Sequence, residues 1–252
     1  MLIHRAHVPV HLQPKDLSKW PFTVAGVRQL ISDGLEFMAP ITFLVGENGS
    51  GKSTLIEAVA GALKLDSHGG QAGGKYAPAR PNTELGEILR LDASVEGMRE
   101  FMGRRQARRG FFLRAETAFS MMNSFSRVPG YWSADTATMS HGEGFMAVFN
   151  EMFKRPGIYL MDEPESALSF VSTLELASLL QTLADTGAQV ICATHSPILT
   201  AIPGSEVLEI DEHGFRSMPW EDLSLVGKRR RYLDNPARFL GVRAGDQDRR
   251  QA

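Results

Sequence analysis

The sequence predicts an α/β fold with a mostly parallel sheet flanked by helices, an antiparallel edge at the N-terminus and a small helical lobe. Three observations predict it. Short apolar, β-branched runs at Ile41–Val45, Ile158–Met161 and Gln189–Ala193 read as buried strands. Helical patterns at Ser53–Leu63 and Ser172–Thr186 alternate with them, the order expected of a parallel sheet. Phe22–Ile31 and Leu35–Phe37 read as strands joined by a turn at Ser32-Asp33-Gly34, which supplies the antiparallel edge.

The remaining elements follow in order. Ser67–Pro81 is rich in Gly and Pro and is predicted to be a mobile surface loop. Glu84–Gly103 is predicted helical, Gly110–Ala115 a strand, Glu116–Ser124 a helix, and Gly142–Phe153 a helix stopped by Pro156 and Gly157. Val207–Ile210 and Gly214–Met218 are expected to close the domain as a hairpin. No internal repeat or sharp boundary divides the 252 residues, so one domain over 1–252 is expected, with the helical lobe at about 84–153 and a polar, frayed tail from about 243.

Composition narrows the classes of function. A net charge of -2 predicts neither nucleic-acid nor membrane binding from bulk charge. The single cysteine, Cys192, excludes an intrachain disulfide and fits a reducing, cytoplasmic setting. It lies in the apolar run Val190–Ala193 and is expected to be an inert core residue. No signal-peptide core follows Met1–Lys15, and no apolar stretch is long enough to span a bilayer, so direct membrane insertion is not expected.

The strongest chemical signal is Gly46-Glu47-Asn48-Gly49-Ser50-Gly51-Lys52-Ser53, a full Walker A pattern placed after a predicted strand and before a predicted helix. Its glycines let backbone N–H groups turn inward around phosphates, and the helix adds its positive end. Lys52 would reach the β- and γ-phosphates, Ser53 would ligate Mg²⁺, and Thr54 would help hold the α-phosphate. The second signal is Ile158–Pro164, an apolar strand ending in Asp162 and Glu163. Strand ends of a parallel sheet converge on the ligand crevice. There Asp162 is placed to hold Mg²⁺, directly or through water, and Glu163 to polarise the attacking water.

With these motifs in place, the chain from about residue 20 to 215 resembles the ABC-type ATPases. It most resembles small stand-alone predicted ATPases related to the SMC and RecF group, some of which share a Phe-Leu-Arg-Ala-Glu segment like that at 112–116. Met139-Ser140-His141-Gly142-Glu143 resembles the signature motif, with His141 in place of the first glycine. The resemblance implies that Ser140 and Gly142 bind the γ-phosphate of a nucleotide held by an opposite subunit. Glu165-Ser166-Ala167-Leu168 resembles the D-loop, although Ser169 stands where aspartate is usual. Thr194-His195-Ser196 resembles the switch segment, so His195 would contact the γ-phosphate and sense its loss. Glu116 stands where the family carries a glutamine and could approach Mg²⁺ or the lytic water. Trp20 and Phe22 lie where an adenine-stacking aromatic is sought.

The resemblance further implies Mg²⁺-dependent ATP hydrolysis and a homodimer formed on ATP binding, with the Walker A of one copy facing Ser140 of the other. The stretch between Lys52 and Ser140 leaves no room for the coiled-coil arms of true SMC proteins. A basic cluster at Arg99, Arg104, Arg105, Arg108 and Arg109, and a run at Lys228-Arg229-Arg230-Arg231, could track a phosphate backbone or simply be solvated helix faces. The net charge of -2 favours the solvated-face reading; under the other, nucleic acid or an effector protein is the partner at the Arg99–Arg109 lobe. Met98, Met102, Met121 and Met122 lie near that lobe, as an adaptable surface or as core. Three outputs compete: a soluble switch in nucleic-acid maintenance or defence, a transporter nucleotide-binding subunit, and a slow-turnover interaction switch.

Overall fold

The computed structural model describes residues 1–65, 70–71, 82–97, 110–114, 146, 149–150, 153 and 156–240. Among these residues the strands are β1 (Ile3–His7), β2 (Leu35–Glu36), β3 (Ile41–Gly46), β4 (Gly70–Gln71), β5 (Arg90–Ala93), β6 (Gly110–Arg114), β7 (Ile158–Asp162), β8 (Gln189–Ala193), β9 (Glu206–Asp211) and β10 (Gly214–Ser217). The helices are α1 (Ala25–Ser32), α2 (Lys52–Ala62), α3 (Glu84–Ile88), α4 (Phe170–Asp185), α5 (Ser224–Asp234) and α6 (Pro236–Phe239).

The main sheet has the order β10-β9-β3-β8-β7-β6-β4. Its five inner strands, β9 to β6, run parallel, and antiparallel β10 and β4 cap the edges. Alternation along each strand sends side chains to two cores. From β3, Leu44 joins Leu55, Ile56 and Val59 of α2 and Val27 and Leu30 of α1. Ile41, Phe43 and Val45 point the other way, onto Leu176, Leu180 and Leu183 of α4 and onto Cys192. Cys192 is fully buried, as a core residue should be.

The antiparallel part at the N-terminus is a separate small sheet of order β2-β1-β5. Gln189 joins it to the main sheet. This fully buried side chain at the start of β8 accepts from the N–H groups of Leu2 (2.9 Å) and Ile3 (2.7 Å) and donates to the Ile3 carbonyl (2.9 Å). A side-chain amide thus stands in for a strand partner.

Several expectations fail in instructive ways. Phe22–Ile31 is not a strand: Ala25–Ser32 is a helix, and its buried residues Gly26, Val27, Leu30 and Ile31 have the three- and four-residue spacing of a helical face. The turn after it does hold, with Gly34 at φ 80 closing the helix. Glu84–Gly103 is not one helix. It breaks after Ile88, and Arg90–Ala93 extends to pair with β1, a partner more than eighty residues earlier that no local pattern shows. Gly70–Gln71, inside the predicted loop, pairs with β6. The predicted helix Glu116–Ser124 lies outside the described residues. Met146, Phe149 and Asn150 of the predicted helix Gly142–Phe153 are helical.

Candidate nucleotide site

The site stands at the carboxyl ends of β3, β8 and β7, with β8 between the other two. After β3 the chain makes a tight loop and enters α2 at Lys52. Two glycines have steric reasons to be there. A Cβ on Gly46 would lie 2.4 Å from the Ile210 carbonyl oxygen, and one on Gly51, at φ 100, would lie 2.5 Å from Val24 Cγ1. Lys52 is buried and folds back into the loop, its Nζ donating to the carbonyls of Gly46 and Glu47 at 3.0 Å each. Burial lowers its pKa, and Glu163, Asp162, Glu47 and Glu165 around it oppose that shift. The Ser50 hydroxyl oxygen is buried without a hydrogen-bond partner.

Asp162, the last residue of β7, accepts a 3.0 Å hydrogen bond from the Ser53 hydroxyl at the start of α2. Burial pushes its carboxyl up to about 6; the Ser53 bond and the Arg114 guanidinium work against the shift. Arg114 Nε lies 4.0 Å from Asp162 Oδ2, while its Nη1 pairs with Glu57 of α2 at 2.7 Å. The parallel register sets Arg114 of β6 directly beside Asp162. Among the described residues no three His, Cys, Asp or Glu side chains form a ready-made metal cluster. One serine, one carboxylate and an open phosphate loop instead suit Mg²⁺, which commonly takes few protein ligands and completes its shell with phosphate and water oxygens.

Glu163 follows at φ 52, a backbone conformation uncommon outside glycine, held by its N–H donating to the Ala193 carbonyl at 2.9 Å. Its carboxylate Oε1 is 3.5 Å from His195 Nε2, and both side chains remain partly open to solvent. Glu165 turns inward instead of facing outward from its loop. Its Oε1 accepts from the Thr194 hydroxyl and from the His195 N–H, both at 2.7 Å. From α5, Arg229 donates to the His195 carbonyl at 2.6 Å and Lys228 pairs with the Glu47 carboxylate.

The structure therefore brings the loop at 46–53, Asp162, Glu163 and His195 together at the carboxyl ends of β3, β7 and β8, through the Lys52, Ser53–Asp162 and Glu163–His195 contacts. Ser140, Gly142, Glu116 and the Arg99–Arg109 lobe lie outside the described residues, as do Met98, Met102, Met121 and Met122. Of the two aromatic candidates, Phe22 is corrected: it is 2% exposed and packed in the core, unavailable for stacking, whereas Trp20 is exposed. Sequence reasoning missed Glu57, the contacts of Arg114 and Glu165, which it named only within longer segments, and the inward contacts of α5. Arg114 had a signal, since it ends the strand next to the acidic one; the others depend on contacts distant in the chain.

Parts of the chain are similar to known proteins. The AAA domain family matches residues 23–114, and a second family, described as AAA domain, putative AbiEii toxin, Type IV TA system, matches residues 139–201. The chain is 24% identical over 234 residues to the ATP-dependent permease PDR12 of Saccharomyces cerevisiae, covering 83% of this chain but 15% of the permease. It is 23% identical over 186 residues to the cytochrome c biogenesis ATP-binding export protein CcmA of Saccharophagus degradans, covering 69% of this chain and 82% of that protein. The chain thus spans only a small part of the length of the permease, and most of the length of CcmA. Among solved structures, the SMC head domain from Thermotoga maritima aligns at TM-score 0.42 and 18% identity over 74% of this chain and 92% of that one.

Proposed function

We propose that this chain is an ABC-type P-loop ATPase that binds ATP with Mg²⁺ and hydrolyses it to ADP and phosphate, a reading supported by its matches to two AAA domain families and to ATP-binding transport proteins. One observation carries the reading: the Ser53–Asp162 hydrogen bond, which joins the start of α2 to the end of β7 beside the buried Lys52. In this reading Lys52 leaves the Gly46 and Glu47 carbonyls for the β- and γ-phosphates. The loop N–H groups and the start of α2 bind the remaining phosphate oxygens, and Thr54 assists at the α-phosphate. Ser53 and Asp162 hold Mg²⁺, which when bound supplies Lewis-acid neutralisation of phosphate charge.

Glu163 orients water and takes its proton as the new oxygen–phosphorus bond forms and the bond to the β,γ-bridging oxygen breaks. His195, 3.5 Å from Glu163, contacts the γ-phosphate and registers its departure. The finer parts of the proposal follow the family resemblance. ATP joins two copies, with Ser140 and Gly142 of each completing the other's site and Glu116 near the metal, and hydrolysis releases them. The opening and closing of the dimer drives whatever the Arg99–Arg109 lobe binds, nucleic acid or an effector protein.

The test is ATP turnover and ATP retention in three variants. Lys52→Ala should lose binding, and Asp162→Ala should lose Mg²⁺-dependent binding. Glu163→Gln should bind ATP but turn it over roughly 100-fold or more slowly. Normal turnover by Glu163→Gln would end the water-orienting role. A second reading, the nucleotide-binding partner of a separate membrane protein, is favoured by the match to an export ATP-binding protein over most of its length. No helix among the described residues is long and apolar enough to cross a membrane; co-purification of an integral membrane protein would select this reading.

A further inference from the structure

His195 is held at both of its backbone polar groups by charged side chains from elsewhere in the fold. Its N–H donates to Glu165 Oε1 at 2.7 Å, and its carbonyl accepts from Arg229 Nη1 at 2.6 Å. These two bonds flank the Cα and fix the direction of the Cα–Cβ bond, and so the place from which the imidazole starts. The rest of the turn is bonded internally: the Ser196 N–H donates to the Thr194 hydroxyl at 2.9 Å, and the Ser196 hydroxyl accepts from the Ile198 N–H at 3.2 Å.

A cavity of about 390 Å³ lies beside His195, walled by Gly46, Glu47, Asp211, Ser224 and Arg229. The imidazole Nε2 is buried with no hydrogen-bond partner and only the longer 3.5 Å approach to Glu163. With no hydrogen bond at Nε2, the position of the ring depends on the backbone below it. Arg229 reaches it from α5, where the preceding residue, Lys228, pairs with Glu47 of the phosphate loop. One turn of α5 thus touches two parts of the site that β3 and β8 carry separately.

We propose that Arg229 is a positioning residue which, opposite Glu165, clamps the His195 backbone, so that α5 sets where the imidazole stands relative to Glu163. The proposal deepens the ATPase reading and rests on it for its kinetic consequence, but the clamp itself belongs to the nucleotide-free chain and can be read without turnover.

The experiment has two arms on the full-length chain. In the first, the His195 ring resonances of nucleotide-free protein are recorded by NMR for the wild type, Arg229→Ala, Arg229→Lys, Glu165→Gln and Arg230→Ala. Arg230 sits one residue on, its guanidinium 5.1 Å from the Trp220 ring centroid, and serves as the control for loss of charge on α5. Arg229→Ala and Glu165→Gln should shift or broaden the His195 signals, Arg229→Lys should largely restore them, and Arg230→Ala should leave them in place. In the second arm, Arg229→Ala should lower kcat roughly 10- to 100-fold, with KM for ATP within about twofold, because it displaces a group without touching bound substrate. Unchanged His195 signals in Arg229→Ala, or equal changes in Arg230→Ala, overturn the clamp. If the wild type turns over no ATP, the hydrolysis reading fails and the resonance arm alone decides the clamp. If the resonances move while kcat stays at the wild-type value, the idea that the clamp sets a working position for His195 is overturned.

Discussion

Burial at the end of β7 pushes the Asp162 carboxyl from 3.8 up to about 6, and this one group makes the site sensitive to pH. In the nucleotide-free protein the folded state holds this proton more tightly than the unfolded chain does. The stabilising contribution is therefore complete below pH about 3.8, declines as pH rises, and is lost above about 6. Asp162→Asn removes the buried charge and should raise nucleotide-free stability by about 3 kcal/mol well above pH 6 and by little near pH 4, measured by thermal unfolding across pH. With Mg²⁺ and nucleotide the sign reverses, because the ligand requires the charged carboxylate. Affinity should fall as pH drops through about 6, and Asp162→Asn should abolish that dependence. At the next residue, Glu163 occupies φ 52, which costs a non-glycine residue on the order of 1 kcal/mol. Glu163→Gly should gain up to about that much stability and lose turnover, an outcome that denaturation and ATPase assays would read together.

Between strand and helix, the β3–α2 junction works only with a bare backbone at Gly46. Gly46→Ala sets a methyl group 2.4 Å from the Ile210 carbonyl oxygen, so either β9 or the loop must move. Loss of nucleotide binding together with about 2 kcal/mol or more of stability is expected, by calorimetry and chemical denaturation. The β1–β8 connection is a second dependency. Gln189→Leu keeps much of the volume but strands the backbone N–H groups of Leu2 and Ile3 and the Ile3 carbonyl, and should cost roughly 2–4 kcal/mol, seen as a lower denaturation midpoint. Elements with strong local patterns, β3, β7, β8 and α4, were legible in the sequence. The segment at 22–31 was not, because Val24, Val27 and Ile31 suggest a strand while the helical spacing of its apolar face decides the outcome. The segment at 90–93 was not, because β1 recruits it.

Over the whole molecule, the two cores on either face of the main sheet share its strands, which supports the proposal of one cooperative domain. The proposed dimer makes a further prediction at this scale. Glu163→Gln with ATP should run at twice the protomer mass in gel filtration coupled to light scattering, and adding Ser140→Arg should return it to one protomer while leaving single-copy nucleotide binding intact. Of the candidate site, Lys52, Ser53, Asp162, Glu163 and His195 were all chosen from sequence and come together at the carboxyl ends of β3, β7 and β8. The supporting contacts of Glu57, Arg114, Glu165 and Arg229 were not read from sequence, since each joins partners distant in the chain.

What the sequence determined alone was local: where glycines free the backbone for a tight loop, where apolar runs must be buried, and where carboxylates follow a strand. Those properties follow from short-range sterics and side-chain chemistry, so the residues themselves announce them. Only the tertiary structure decided that β8 lies between β3 and β7, that Gln189 substitutes for a strand, and that α5 reaches back to Glu47 and His195. Such contacts join groups separated by tens to nearly two hundred residues, and their energy exists only once the chain has closed on itself.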